Sequence, residues 1–275
     1  DFLFEHCKAR STNHQNNHQG PQKLVLPPLK ELKIFIEDIQ KKANKQNQSV
    51  MILASGDPLF YGIGGWISRT FKQAKVNFYP AVSSVQGACH ALGLSLQDVK
   101  VISLHGRPLQ KIRRQLKSQE TLVILTDQFS QPKTLAQECL EAGFTNAKIH
   151  VCEALGYPHE KVRSFSLEQL IEGSDEFDAL HVSVIETHEQ SIASPCKRVA
   201  EFPGIQDQAF FTDSEKGKGM ITKREVRLNI LSLLQPGNGD VIWDVGAGCG
   251  SVAVELCYWN DKVQVHAIEH HTDRI

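Results

Sequence analysis

The chain has 275 residues, enough for one large domain or two to three small ones. Its 41% hydrophobic and 22% charged residues are ordinary for a globular protein, and a net charge of −1 excludes a strongly basic nucleic-acid surface. No apolar run approaches the roughly 20 residues of a membrane-spanning helix, no signal peptide is visible, and seven cysteines without a C-x-x-C pair favour reduced cytosolic thiols over a disulfide framework or a zinc site. A cytoplasmic protein with no metal, nucleic-acid or membrane partner is expected.

Residues 1–20 are polar and rich in Asn, Gln and His. They read as a poorly ordered segment; His6, His14 and His18 lack the carboxylate or cysteine pattern that completes a metal site. Leu24-Val25-Leu26 is a short strand candidate stopped by Pro27-Pro28. From Leu29 to Ala43 the stripe Leu29, Leu32, Ile36, Ile39 predicts an amphipathic helix with a Lys-rich outer face. Val50 to Ala54 is a continuous apolar run closed by Ser55-Gly56-Asp57-Pro58, the pattern of a buried strand of a parallel sheet. Pro58 suits the first turn of a helix through Phe71, although Gly62, Gly64 and Gly65 weaken it and admit close approach of backbone or ligand. A glycine turn at the carboxyl end of a strand is where open α/β sheets bind ligands.

Val76 to Tyr79 is the next strand candidate. Ser83 or Ser84 can cap a helix over Val85 to Leu92. Strands are expected at Val99–Leu104, Thr121–Leu125, Ala147–Leu155, Val162–Phe165 and Phe177–Ile185, with helices at Arg107–Leu116, from Ser130 through Glu141, and at Ser166–Ile171. Together they imply a mixed or parallel α/β sheet. Residues 190–201 read as a linker, and a new unit follows. In it Thr222-Lys223-Arg224-Glu225 has the spacing of a capping box, with Val226, Ile230, Leu233 and Leu234 on one apolar face. Strand Asp240–Val245, the loop Gly246-Ala247-Gly248-Cys249-Gly250, a helix from Ser251 to Cys257, strand Val263–Ile268 and the terminal acid Glu269 complete a β–loop–α–β unit. Glu269 stands 19 residues after Gly250, where a carboxylate can accept from ribose hydroxyls. A dinucleotide-binding Rossmann domain is one reading of the unit, but its fingerprint prefers G-x-G-x-x-G, and here the third glycine comes one residue early.

The stretch SGDPLFYG (Ser55–Gly62) resembles the second signature of the tetrapyrrole (corrin and porphyrin) methyltransferases. Tyr79-Pro80-Ala81-Val82-Ser83-Ser84 and Ser103-Leu104-His105-Gly106-Arg107-Pro108 follow in the order that family shows, and the latter is similar to its branch acting on precorrin-6Y in cobalamin synthesis. Asp244 and the glycines after it resemble the first motif, D-x-G-x-G-x-G, of S-adenosylmethionine-dependent class I methyltransferases. The approach PGIQDQAFF, MITKREVR, WDVGAGCGSV resembles the decarboxylating half of bifunctional precorrin-6Y methyltransferases, joined in this order.

The resemblance covers Val25 to Ile275 and implies a tetrapyrrole-methylase-type two-domain α/β unit (21–82 and 83–189), then the beginning of a Rossmann-like class I methyltransferase domain (202–275). It implies S-adenosylmethionine as cofactor, held by Gly56, Asp57, Pro58, Ser83, Ser84 and Thr126 in the first half and by Asp244, Gly246, Gly248, Gly250 and Glu269 in the second. His105 and Arg107, with Thr222 and Arg224, would face a tetrapyrrole substrate. Arg107 is the residue type for a bidentate grip on a carboxylate; His159 and Arg163 carry no specific signal. The reaction implied is methylation at two meso carbons with loss of carbon dioxide from an acetate side chain; the alternatives are a tetrapyrrole-methylase fold acting on another substrate such as ribosomal RNA, which the neutral charge and the fused class I half argue against, and a non-catalytic remnant. A homo-oligomer is in keeping with the family. The family's opening G-x-G-P-G loop does not occur, so the stretch reads as an internal portion of a longer chain, and residues 202–275 are expected not to be stable alone or to close a donor site.

Overall fold

The structure, a computed structural model, describes residues 23–45, 49–189, 200–212 and 219–271. The chain divides into two compact units, Asp1–Gly87 and Ala88–Ile275. The polar segment at residues 1–20 and nearly all of the expected linker lie outside the described residues.

In the first unit, helix α1 (Leu29–Lys45) buries Leu32, Ile36 and Ala43, while Leu29 at the head of the expected stripe is exposed. The strands expected at Leu24–Leu26, Val50–Ala54 and Val76–Tyr79 do not form. These segments take no regular structure and have no ladder partner among the described residues, and Met51, within the apolar run, is 74% exposed. Composition had favoured a buried strand; a strand also needs a neighbour to take its N–H and C=O groups. Helix α2 (Gly64–Thr70) starts later than Pro58 because turns occupy the residues between. The Gly64 N–H donates to the Pro58 carbonyl at 2.7 Å. A Cβ on Gly62 or Gly64 would stand 2.6 or 2.5 Å from that oxygen, so these glycines serve backbone packing. Helix α3 (Ser84–Leu92) spans the boundary of the two units. Ser83 caps it: the Gln86 N–H donates to Ser83 Oγ at 3.2 Å, and the Ser83 N–H to Gln86 Oε1 at 2.9 Å.

The second unit carries a mixed sheet of β1 (Val99–Ser103), β2 (Thr121–Leu125), β3 (Lys148–Glu153), β4 (Lys161–Ser166) and β5 (His181–Glu186), in the order β1-β2-β5-β3-β4. β1 and β2 are parallel; the other neighbours are antiparallel. The stretch expected as a helix at Arg107–Leu116 is a 3₁₀ helix, Leu109–Arg114. Helices α4 (Pro132–Glu141) and α5 (Leu167–Glu172) pack with it over one face, enclosing Leu122, Ile124, Leu135, Phe144, Ile149 and Ile185. Ser166 caps α5 in a capping box with Gln169.

Residues 200–271 add helix α6 (Arg224–Leu234), strand β6 (Val241–Val245), helix α7 (Ser251–Trp259) and strand β7 (Gln264–Ile268), with β6 and β7 parallel. The expected capping box is not there: Lys223 is the N-cap of α6 and its side chain does not cap the helix, and Thr222 stands one residue ahead of it. Nor is the expected apolar face buried, since Leu233 is 85% exposed. The buried residue of α6 is Arg227, fully enclosed beside the equally buried Glu255 of α7. Arg227 Nε donates to Glu255 Oε1 at 2.9 Å and Nη1 to Asp207 Oδ1 at 2.8 Å; other guanidinium N–H groups take the Thr222 and Ile205 carbonyls. Glu255 also accepts from Gly204 N, Ile205 N and Trp259 Nε1, each at 3.0 Å. Phe210 lies 4.7 Å from the guanidinium.

A buried pair in which four guanidinium N–H groups and both carboxylate oxygens are hydrogen-bonded is tolerable, whereas removing one partner strands a charge. Arg227→Met is expected to lower the unfolding free energy by about 3–5 kcal/mol in a denaturant titration, and Arg227→Met with Glu255→Leu to recover most of it. A single variant within about 1 kcal/mol of the parent contradicts this account of the pair.

Candidate functional site

The described residues offer three groups of candidate side chains, one in the first unit and two in the second. In the first unit Gly56 turns with φ +67°, and a Cβ placed on it would meet Ser83 Cα at 3.2 Å. The turn at 55–58 is therefore seated on the Ser83 cap, and the structure brings Gly56, Asp57, Pro58, Ser83 and Ser84 together. Asp57 is spent partly on its own turn, its Oδ1 accepting the Leu59 N–H at 2.8 Å.

At the carboxyl ends of β1 and β2 stand His105, Gly106, Arg107 and Thr126. His105 and Arg107 are exposed, and their side chains make no hydrogen bond or ion pair among the described residues. Thr126 Oγ1 donates to the His181 carbonyl at 3.1 Å and ties β2 to β5. Asp127, which the sequence did not single out, organises this end. Its Oδ2 accepts the Gly106 N–H at 3.0 Å, and its Oδ1 accepts from Phe129 N and Ser130 N at 3.0 Å and from Ser130 Oγ at 2.9 Å. The Gly106 bond first, then the others, hold its carboxyl down to about 2. Arg163 is fully engaged with Glu153, Asp175 and the Glu176 carbonyl, at 2.9, 2.9 and 2.7 Å, and His159 lies 3.5 Å from Asp178.

The third group surrounds the loop after β6. Gly246 N and Ala247 N donate to the Ile268 carbonyl at 2.8 and 3.0 Å, and Gly250, in the left-handed region at φ +70°, starts α7. A Cβ on Gly246 or Gly250 would meet nothing within 4 Å, so these glycines answer to backbone conformation and leave open space above the loop. Glu269 Oε2 accepts the Gly248 N–H at 2.7 Å, and Oε1 accepts His270 N and His271 N at 2.9 Å. These N–H donors, His271 first, lower its pKa. Asp244 Oδ2 is buried without a partner among the described residues. Arg224 Nε, near Gly204, is likewise buried and unpartnered among them, while Thr222 enters through its carbonyl on Arg227. The Met220 carbonyl reaches over the loop, 3.9 Å from where a Gly248 Cβ would be. No cluster of three His, Cys, Asp or Glu could hold a metal among the described residues, and no helix there is long and apolar enough to cross a membrane.

The fold and these two glycine-loop ends define a tetrapyrrole-methylase-type α/β protein that continues into a Rossmann-like class I unit. Residues 6–171 match the family model of tetrapyrrole (corrin/porphyrin) methylases, and residues 213–275 that of the precorrin methyltransferase domain. The chain belongs to the tetrapyrrole (corrin/porphyrin) methylase family. A precorrin-6Y C(5,15)-methyltransferase (decarboxylating) of Sinorhizobium sp is 34% identical over 230 residues, 84% of this chain and 53% of that protein. One of the same description from Mycobacterium tuberculosis (strain CDC 1551 / Oshkosh) is 34% identical over 212 residues, 75% of this chain and 49% of it. The chain thus spans about half the length of these curated relatives. The crystal structure of the methyltransferase CobJ superposes with a TM-score of 0.50 at 14% identity, covering 66% of this chain and 80% of that one, a likeness of fold alone.

The Asp127 geometry fixes a pH response. Its folded pKa of about 2 lies below the ordinary aspartate value of about 3.9, so the contribution is complete above the unfolded value and is lost as pH falls through the folded one. The Gly106 amide resonance is expected to titrate with a midpoint near the folded value of about 2. A midpoint at the ordinary aspartate value of about 4 contradicts the bond.

Proposed function

We propose that this chain contributes to S-adenosylmethionine-dependent C-methylation of a corrin-pathway tetrapyrrole, precorrin-6Y, at two meso carbons with decarboxylation of an acetate side chain, in the cytoplasm. S-adenosylmethionine, when bound, supplies the methyl group. Gly56, Asp57, Pro58, Ser83, Ser84 and Thr126 serve the donor in the first half. His105 and Arg107 stand on the acceptor side, where an exposed, unpaired guanidinium meets the carboxylate side arms of a tetrapyrrole. Against the expectation from length that residues 202–275 close no donor site, β6, β7 and the helix after the loop form, and in this reading Asp244, Gly246, Gly248, Gly250 and Glu269 serve the donor in the second half, with Thr222 and Arg224 on the acceptor side. Transfer from a sulfonium needs alignment and exclusion of water more than an acid–base pair, in keeping with a site of backbone turns and carboxylates.

The observation that carries this reading is the orphan oxygen of Asp244 beneath the open glycine loop. A buried carboxylate oxygen without a partner is costly in the empty protein and is satisfied by a donor group of a ligand. Glu269 Oε2 accepts one hydrogen bond and keeps a lone pair for a hydroxyl.

Calorimetry with S-adenosylmethionine tests the reading. Asp244→Ala is expected to weaken binding at this loop about tenfold or more, roughly 1.4 kcal/mol, without lowering the melting temperature, because the orphan oxygen loses no partner. Unchanged affinity, or a loss that tracks a lowered melting temperature, refutes it.

A further inference from the structure

At the end of the five-stranded sheet where β1 and β2 finish, the register places four strand ends in one row. Ser103, the last residue of β1, stands opposite Leu125, the last of β2. Thr126 follows and donates to the carbonyl of His181, the first residue of β5. His181 in turn pairs with Glu153, the last residue of β3. Ala154 N then donates to the Leu180 carbonyl at 2.8 Å. The row therefore runs β1, β2, β5, β3, and the β3–β4 hairpin of residues 154–160 closes it.

Three neighbouring ends in this row each hold a large apolar side chain out in solvent. They are Phe129 after β2, Leu180 before β5 and Tyr157 after β3, from 51% exposed at Tyr157 to 69% at Phe129. Single exposed apolar residues are ordinary, but three on adjacent strand ends make a patch that marks a binding surface. Each sits on a fastened turn. Phe129 N donates to Asp127 Oδ1 at 3.0 Å, Leu180 N to Asp178 Oδ1 at 2.8 Å, and Tyr157 N to the Ala154 carbonyl at 2.9 Å. Gly156 N also donates to Glu160 Oε2 at 2.6 Å, across the hairpin. Ala154 is buried in the left-handed region at φ +48°, a conformation unfavourable for a residue with a Cβ and kept here to turn the hairpin.

The charges around the patch are arranged to one side. His105 and Arg107 are exposed beyond the end of β1, whereas His159, next to the Tyr157 ring, is already 3.5 Å from Asp178. The acids are engaged: Asp127 by Gly106, Phe129 and Ser130, Asp178 by Leu180 N and His159, and Glu160 by Gly156 N. Neighbouring strands lie about 4.8 Å apart, so the ends of β1 and β3 stand roughly 14 Å apart along the row. A flat macrocycle with side arms covers that span, and a single small anion does not.

We propose that Phe129, Leu180 and Tyr157 form a ledge on which the tetrapyrrole lays one face of its macrocycle, with Arg107 on a carboxylate arm beyond the ledge. The proposal rests on the tetrapyrrole reading above and adds the groups that hold the apolar body of the acceptor. Burial of the ring against two aromatic side chains and a leucine supplies affinity without direction. The guanidinium stands at one end of the row, and so fixes which edge of the ring faces β1.

Fluorescence titration of the whole chain with uroporphyrin, a flat tetrapyrrole ringed by carboxylates, tests this. Tyr157→Ser with Leu180→Ser is expected to weaken uroporphyrin binding about tenfold or more. The melting temperature and the affinity for S-adenosylmethionine are expected to stay as they are, because both side chains are exposed and neither serves the donor. Leu233→Ser, which removes an exposed leucine of α6, is expected to leave uroporphyrin affinity unchanged. The ledge is overturned if the double variant binds uroporphyrin as tightly as the unaltered chain, if Leu233→Ser costs as much, or if the unaltered chain does not bind it. Calorimetry with S-adenosylmethionine on the same samples reads the donor site separately. Uroporphyrin binding that depends on the ledge, without any donor binding, upholds the ledge and overturns the donor reading alone.

Discussion

One carboxylate, accepting the N–H of a glycine in the loop of the neighbouring strand, shapes both candidate ends of the second unit. At the first end the pair is Asp127 and Gly106, and at the second it is Glu269 and Gly248. The correspondence runs deeper than the bond. In each case the strands are parallel, β1 with β2 and β6 with β7. The residue just after the first strand, Leu104 or Gly246, donates to the carbonyl of the last residue of the second, Leu125 or Ile268. The glycine that meets the carboxylate follows two residues later. In both places the N–H donors draw the carboxyl pKa below its ordinary value. Two different sheets have reached one solution to the same problem. A loop whose glycines face open space has no side chains packed there to hold it, and in both places a charge-assisted hydrogen bond to a carboxylate holds it instead.

The second end needs a further support, because its strands are poorly covered. Trp243 in the middle of β6 is 66% exposed, so apolar burial alone does little for this pair. The buried Arg227–Glu255 pair takes part of that role. It joins α6 to α7, gathers the backbone at 204–205 and fixes Asp207 and the Thr222 carbonyl. Through Thr222 it sets the segment from which the Met220 carbonyl reaches over Gly248. The stability of the segment and the shape of its loop thus depend on the same two charges.

The strands of the second unit were largely legible in the sequence. Thr121–Leu125 and Val241–Val245 are compact β-branched runs with glycine or turn residues on schedule, and both form as strands. The cap at Ser83 or Ser84 was legible as a pair of candidates, and it is Ser83 that makes it, with Gln86. The first unit was misread for a physical reason: Val50–Ala54 has the composition of a strand, but composition does not say whether a ladder partner stands beside it. Arg227 and Asp127 were missed because their roles depend on partners 28 and 21 residues away in sequence. A signal existed in the one case. Glu255 is a lone acid within the apolar helix SVAVELCYW, and a charge there asks for a counter-charge on the facing helix. For Asp127 the turn chemistry with Ser130 was visible, and the reach to Gly106 was not.

The account turns on whether the carboxylate beneath the glycine loop makes that loop a donor site. The most direct measurement is calorimetric titration of S-adenosylmethionine onto the chain carrying Glu269→Gln beside the unaltered chain. A carboxamide presents an N–H₂ where one carboxylate oxygen accepted, so at least one of the Gly248, His270 and His271 bonds is lost. The account predicts binding by the unaltered chain and a loss of about tenfold or more in the variant. Equal affinity in the two, or no binding by the unaltered chain, would contradict it.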